Sequence, residues 1–190
     1  MYPEAFILRH GETEWNRAGR FQGRLNSPLT EKGRAQARRQ GEILTTAGVN
    51  ASQFQFWSSP QGRARQTADL ALGGMGGVIR EDLLLQEIDV GDWQGLTGPE
   101  IAARHPDADL LGGSLWQDAA PGGEGFAGVE ARAHAFLSGL DRPAVIVTHG
   151  VFSRFLRAAI LGLDLEGALG LPDGQGIVFH LKDGQQTQLS

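Results

Sequence analysis

Two histidines in this chain stand directly before a glycine at the end of an apolar run: Phe6-Ile7-Leu8-Arg9-His10-Gly11 and Val145-Ile146-Val147-Thr148-His149-Gly150. Histidine titrates near neutrality, so it can act as a nucleophile or carry a proton at physiological pH. The guanidinium of Arg9, next to His10, offers a planar fork that matches phosphate oxygens. A third apolar stretch, Phe54-Gln55-Phe56-Trp57-Ser58, runs into Ser59-Pro60 and then Arg63. These residues predict chemistry at phosphorus, with His10 attacking and arginines holding the phosphoryl oxygens. Arg63 taken alone could equally serve an ion pair with Asp69 or a neighbouring carboxylate.

Such residues act together only if the fold brings three strand ends to one edge. Strands are expected at residues 4–8, 54–58, 78–80, 144–148 and 177–181, the fourth being apolar enough to lie in the middle of a parallel sheet. Helices are expected at 30–46 with Thr30 as N-cap and Gly48 beyond the end, at 61–72 with Pro60 in its first turn, around 99–104, from 123 or 124 to 140, and at 151–161. Gly33, Ala37, Gly41 and Leu44 share one helix face of small residues that could approach the sheet closely. Residues 11–28 show no sustained period and read as a long loop, which in a compact domain is usually functional or mobile. Residues 88–125 are broken by glycines and prolines and read as an insertion covering the ligand edge, and Lys182-Asp183-Gly184 reads as a hairpin turn. The alternation predicts an α/β fold, doubly wound and mostly parallel with helices on both faces, in a single domain spanning 1–190. Open sheets of this kind bind ligands beyond the carboxyl ends of the strands, where Arg9, His10, Arg63 and His149 would meet with two helix N-termini.

Composition narrows the classes. A chain of 190 residues can bury a substantial core, and 41% hydrophobic with 21% charged residues is ordinary for a globular protein. A net charge of −5 with a pI near 5.5 argues against a nucleic-acid partner. The chain has no cysteine, which removes disulfides, thiolate nucleophiles and cysteine-based metal sites. It opens almost directly on a strand, with no apparent signal peptide, and no apolar run approaches membrane-spanning length, so a cytoplasmic location is expected. Of its 17 basic residues only Lys32 and Lys182 are lysines. Compositional bias accounts for most of the arginines; the chemistry needs only two or three of them converging on an anion.

Leu8-Arg9-His10-Gly11-Glu12-Thr13-Glu14-Trp15-Asn16 resembles the signature of the histidine phosphatase (phosphoglycerate mutase-like) superfamily. Arg20-Phe21-Gln22-Gly23, Ser27-Pro28-Leu29-Thr30-Glu31-Lys32-Gly33 and Ser58-Ser59-Pro60-Gln61-Gly62-Arg63-Ala64-Arg65-Gln66-Thr67-Ala68 are similar to further blocks of that family. So are Glu87-Ile88-Asp89-Val90-Gly91-Asp92-Trp93-Gln94-Gly95, Pro121-Gly122-Gly123-Glu124 and Thr148-His149-Gly150. The blocks follow the family's order over nearly the whole chain, and the broad-specificity and alpha-ribazole-phosphatase-like members are the nearest in character. The resemblance implies His10 as nucleophile through a phosphohistidine, and Arg9, Arg63 and His149 as ligands of the phosphoryl oxygens. It implies Glu87 as proton donor and later base, with Asp89, Asp92 and Glu12 as competitors for that role. Asn16, Gln22, Gly23 and Gly150 are implied substrate contacts, with backbone N–H groups after His149 adding to the pocket. Neither metal nor cofactor is implied. His105, His134 and His180 read as structural or solvated.

The expected substrate is a small phosphomonoester. The mutases that this sequence resembles carry basic and tyrosine residues after the acid, where this chain has Ile88-Asp89-Val90-Gly91, and Asp89 would repel a second anion. Hydrolysis is therefore favoured over a cofactor-dependent phosphoglycerate mutase, a catalytically silent phospho-ligand module or a metallohydrolase. Phe21, Gln22, Leu25, Trp93, Leu115, Trp116 and Phe152 are expected to form an apolar specificity wall suited to a nucleoside-like, aromatic or hydrophobic alcohol. Asn26 stands where many relatives carry aspartate, with no evident consequence.

Overall fold

The computed structural model describes residues 2–106 and 117–190. Among these residues six strands form one sheet: β1 (Ala5–Arg9), β2 (Gln55–Ser58), β3 (Ile79–Glu81), β4 (Ala144–Thr148), β5 (Val178–Lys182) and β6 (Gln185–Leu189). Their order is β3-β2-β4-β1-β5-β6. The first four run parallel, while β5 and β6 join antiparallel at the β1 edge. The expected hairpin turn is present, with Asp183 and Gly184 both at positive φ, the geometry that suits a two-residue connection between twisted strands.

Alternation along the central strands divides the core. Ala5, Ile7, Ala144 and Ile146 point to one face, where they meet α5 (Gly125–Ser138) and α6 (Gly150–Leu161). Phe6, Leu8, Val145 and Val147 point to the other, where α2 (Glu31–Thr46) and α3 (Gly62–Leu72) pack. Neighbouring strands β1 and β4 thus send the chain to opposite faces, β1 toward α2 and β4 toward α6. That is the switch point at which an open α/β sheet leaves a crevice beyond its strand ends. Pairing of Arg9 with Thr148, and of Ser58 with Val147, brings His10, Ser59 and His149 side by side at the crevice.

Several boundaries differ from the expectation. The 11–28 loop holds a short helix, α1 (Glu14–Arg17), closed by a reciprocal box between Thr13 and Asn16. Thr30 does cap α2, accepting from the Gly33 N–H. Pro60 lies ahead of α3, whose N-cap is Gln61, so it is not in the first helical turn. Leu44 of the small face of α2 meets the sheet in one core with Phe6 and Leu8, but the nearest neighbours of its glycines lie elsewhere. A Cβ on Gly33 would sit 2.0 Å from the Glu12 carbonyl oxygen, and one on Gly41 would sit 2.6 Å from that of Ala71. The glycines instead admit the loop after β1 and the neighbouring helix α3. Within 88–125 the described residues include α4 (Gly98–Arg104), and Ile88, Val90, Trp93, Ile101 and Ala120 join the same core as α5 and α6. Residues 107–116 of that expected insertion, with Leu115 and Trp116 of the expected wall, lie outside the described residues.

Candidate active site

The crevice opens into a cavity of about 400 Å³ lined by Arg9, His10, Asn16, Gln22, Gly23, Arg63, Glu87 and Gly150, along with Arg20, Phe21, Arg154 and Asp173 among others. All the implied catalytic and substrate-contacting positions therefore face one space, apart from His149. That residue lies against His10, ring centroids 5.2 Å apart.

His10 is held by its backbone and its ring. Its N–H extends the β1–β4 ladder by donating to the Thr148 carbonyl at 3.0 Å. Nδ1 lies 2.8 Å from the Gly11 carbonyl oxygen, which can only accept, so the proton sits on Nδ1 and Nε2 carries the lone pair. Arg63 Nε donates to that Nε2 at 3.2 Å. Burial, then the charges of Arg63 and Arg9, hold the His10 pKa well below the ordinary histidine value. An imidazole in this position stays neutral and nucleophilic at physiological pH.

Arg63 is fixed by the loop before it. Its NH1 donates to the Leu25 carbonyl at 2.6 Å and its NH2 to that of Gly23 at 2.9 Å, while its backbone N–H donates to Asn26 Oδ1. Asn26 thereby satisfies an N–H at the start of α3, a consequence the sequence did not suggest. Burial lowers the Arg63 pKa to about 10, Glu87 opposing and Arg9 assisting, and the side chain remains cationic near neutrality. Asp69 pairs with Arg65 and leaves Arg63 to the site.

His149 is also held neutral, first by burial and then by the charges of Arg63, His10, Arg9 and Arg132. Its Nε2 lies 2.8 Å from Ser59 Oγ, and its buried Nδ1 has no hydrogen-bond partner among the described residues. If the serine hydroxyl donates to Nε2, the proton of the neutral ring sits on Nδ1.

Glu87 is the member of its acidic group that lines the cavity. Glu12 is taken by Lys32 and Thr30, and Asp89 accepts from its own loop at Gly91. The Glu87 carboxylate accepts from the N–H groups of Val151 at 3.2 Å, Phe152 at 3.0 Å and Ile88 at 3.0 Å. The expectation that backbone N–H groups after His149 add to the pocket is corrected for these two, which already donate to the carboxyl group of Glu87. The segment carrying Glu87 is anchored by Arg132, which donates to the carbonyls of Leu84 and Gln86 and grips Glu124 with two nitrogens. Burial tends to raise the Glu124 pKa, but the bonds from Arg132 and the Asp89 N–H and the charges of Arg132 and Arg24 outweigh it and lower it. Glu124 and its sequence block thus support the acid from behind.

Three residues went unmarked in the sequence. Asp173 forms an ion pair with Arg9 over Gly150, where an added Cβ would lie 3.2 Å from both side chains. Gln175 donates to Asn16 Oδ1 at 3.1 Å. Arg154 lies one helical turn beyond Gly150. Asp173 and Gln175 sit in the irregular segment Pro172-Asp173-Gly174-Gln175, whose composition signals only a loop, whereas Arg154 was within reach of helical spacing from Gly150. Within the expected wall, Phe21 and Gln22 line the cavity. Trp93 and Phe152 are core residues, 1% and 0% exposed, and Leu25, 47% exposed, does not line it. For Trp93 and Phe152 the apolar-wall expectation fails because large rings packed behind the site gain more from full burial than from half-exposure, whereas Leu25 faces outward.

Known proteins resemble the chain along nearly its whole length. Residues 5–188 match the histidine phosphatase superfamily (branch 1). A glucosyl-3-phosphoglycerate phosphatase of Mycolicibacterium vanbaalenii is 37% identical over 177 residues, covering 84% of this chain and 75% of that protein. Phosphoserine phosphatase 1 of Hydrogenobacter thermophilus is 31% identical over 196 residues, covering 96% and 89%. The solved structure of a mycobacterial glucosyl-3-phosphoglycerate phosphatase in complex with VO3 superposes with a TM-score of 0.82 at 33% identity, covering 99% of this chain and 97% of that one.

Proposed function

The chain belongs to the histidine phosphatase superfamily, and from that premise we propose that it hydrolyses small phosphomonoesters in two steps through a phosphohistidine on His10. The observation that carries the proposal is the Nδ1 contact to the Gly11 carbonyl, which leaves the lone pair of a neutral, buried ring on Nε2. In the first step Nε2 forms the N–P bond, the P–O bond to the alcohol breaks, and a protonated Glu87 gives its proton to the leaving oxygen. In the second, water attacks phosphorus while the Glu87 carboxylate takes its proton. The N–P pair returns to Nε2, phosphate leaves, and Glu87 is again protonated.

Charge on the transferring group is the main cost of such a reaction, and fixed cations and donors offset it. Arg63, Arg9 and the Nδ1–H of His149 are the groups we assign to the phosphoryl oxygens. Arg9 Nε is buried without a partner among the described residues, as is His149 Nδ1. Asn16, Gln22, Gly23 and Gly150 line the same cavity and are assigned to substrate contact, Gly23 also through its carbonyl on Arg63. Water is favoured over a second phosphate acceptor because Ile88, Asp89 and Val90, the residues after the acid, offer no cation for a second anion. The domain assignment, 1–190 with an insertion near 88–125, and a cytoplasmic site of action complete the reading.

Rapid quench with labelled p-nitrophenyl phosphate tests it. Phosphate should be trapped on the wild-type protein, acid-labile and base-stable, and His10→Ala should trap none. Full turnover by His10→Ala would overturn the proposal. Glu87→Gln keeps an oxygen for the Val151 and Phe152 N–H groups but has no proton to donate, so it should slow alkyl phosphates more than p-nitrophenyl phosphate, by about 10²–10⁴-fold at most. Equal losses on both would remove Glu87 from the acid role.

A further inference from the structure

One buried side chain joins the segments that bring Glu87 and Arg63 to the crevice. Gln61 stands at the N-cap of α3, where a side chain ordinarily accepts from the first N–H groups of the helix. It makes no such bond, and the Arg63 N–H is met by Asn26 Oδ1 instead. The buried carboxamide is thereby free to bond elsewhere. Its Oε1 accepts from the Glu87 backbone N–H at 2.8 Å, and its Nε2 donates to the Gly23 carbonyl at 3.0 Å. That same carbonyl accepts from Arg63 NH2 at 2.9 Å. The Gln61 backbone N–H lies 3.4 Å from Ser59 Oγ, the hydroxyl set against His149 Nε2.

A primary amide suits this place. The Glu87 N–H can only donate and the Gly23 carbonyl can only accept, so the joining group needs an acceptor and a donor side by side. A continuous run of hydrogen bonds results, from His10 Nε2 through Arg63, the Gly23 carbonyl and Gln61 to the backbone of Glu87. Arg132 grips the carbonyls of Leu84 and Gln86, ahead of the acid, whereas Gln61 holds the N–H of Glu87 itself. The run therefore links the nucleophile to the acid through residues drawn from three separate parts of the chain. A two-step transfer depends on that spacing twice, once at the leaving oxygen and once at the attacking water.

We propose that Gln61 is a positioning residue for the reaction, holding Glu87 at a set distance from the phosphoryl group bound by His10 and Arg63. The proposal rests on the reading of Glu87 as proton donor. Gln61 is not among the residues lining the cavity, so it acts through its two bonds and touches no reacting atom. Without them the Glu87 N–H is left unmet in a part-buried place and the segment shifts to find a partner. A shift of about 1 Å at a reacting group costs about 10²-fold in rate. That loss falls on esters whose leaving oxygen needs the proton.

The test compares glycerol 3-phosphate, an alkyl ester, with p-nitrophenyl phosphate, whose leaving group departs without a proton. Gln61→Met keeps the length of the side chain and removes both bonds. Its ratio of kcat/KM on the alkyl ester to that on the aryl ester should fall about 10- to 100-fold below wild type. Gln61→Asn keeps the amide on a shorter stem, and carries the same test with a milder change to the fold. The shift should vanish when Gln61→Met is combined with Glu87→Gln, which has no proton to place. A ratio unchanged in these single variants, or a full shift in the Glu87→Gln background, would overturn the proposal. The ratio is insensitive to the folded fraction, so a merely structural role does not move it. Equal losses on both esters in Glu87→Gln would instead remove the acid reading, a failure seen without altering Gln61.

Discussion

Arg63 Nε donates a 3.2 Å hydrogen bond to His10 Nε2, the nitrogen that would attack phosphorus. The guanidinium thus marks the nucleophilic lone pair and lies where a phosphoryl oxygen would meet it. Arg63→Lys keeps a charge but loses the planar fork bonded to Gly23 and Leu25, so kcat/KM should fall by about 10²–10³-fold. Arg63→Met should also raise the His10 pKa toward its ordinary value, since it removes the nearest cation. An NMR titration of the His10 ring reads that shift, and an unmoved pKa would leave burial and the charge of Arg9 as its causes.

Stability should carry the signature of both buried rings. His10 and His149 have folded pKa values well below the ordinary 6.5, so the unfolded chain binds protons below that pH which the folded chain refuses. Stability is complete above about pH 6.5 and declines as pH falls, by about 1.4 kcal/mol per pH unit for each ring. Urea denaturation between pH 6.5 and 5 should show it, and His10→Asn should lessen the slope by roughly 1 kcal/mol per pH unit. An unchanged slope would mean that His10 titrates normally in the folded protein.

Asp173 sets an anion of the protein against the anion to be bound. An incoming phosphoryl group has to share Arg9 with that carboxylate, so Asp173→Asn should tighten competitive inhibition by inorganic phosphate about three- to tenfold. Weaker inhibition would mean that holding Arg9 in place outweighs the repulsion. Arg157 braces this loop, donating to the Pro172 carbonyl at 2.6 Å while stacked on Phe179.

Close approach of α2 to the His10 loop leaves no room for a methyl group. Gly33→Ala would force the helix or the Glu12 backbone to move, costing upwards of about 2 kcal/mol and disturbing His10 through Gly11. Gly74→Ala meets nothing within 4 Å and should stay within about 1 kcal/mol of wild type. Thermal unfolding of the pair decides whether contact, and not glycine content, fixes the position.

The sequence by itself determined five of the six strands, the two faces of the sheet and the family, because each is written in local pattern, while the polar β6 (Gln185–Leu189) carries no such pattern. The alternation of β1 and β4, the Thr30 cap and the two His-Gly strand ends need only neighbouring residues to be read. It also identified nearly every side chain that lines the cavity near phosphorus. Tertiary structure alone decided which of those groups are already engaged. Glu87 closes the α6 N-terminus from 64 residues away, Asp173 reaches Arg9 across 164, and Asn26 meets the start of α3 from a loop without regular period. It likewise sent Trp93 and Phe152 into the core and left Arg154 without a partner among the described residues. Long-range pairing depends on where loops of irregular geometry return, and no residue spacing records that.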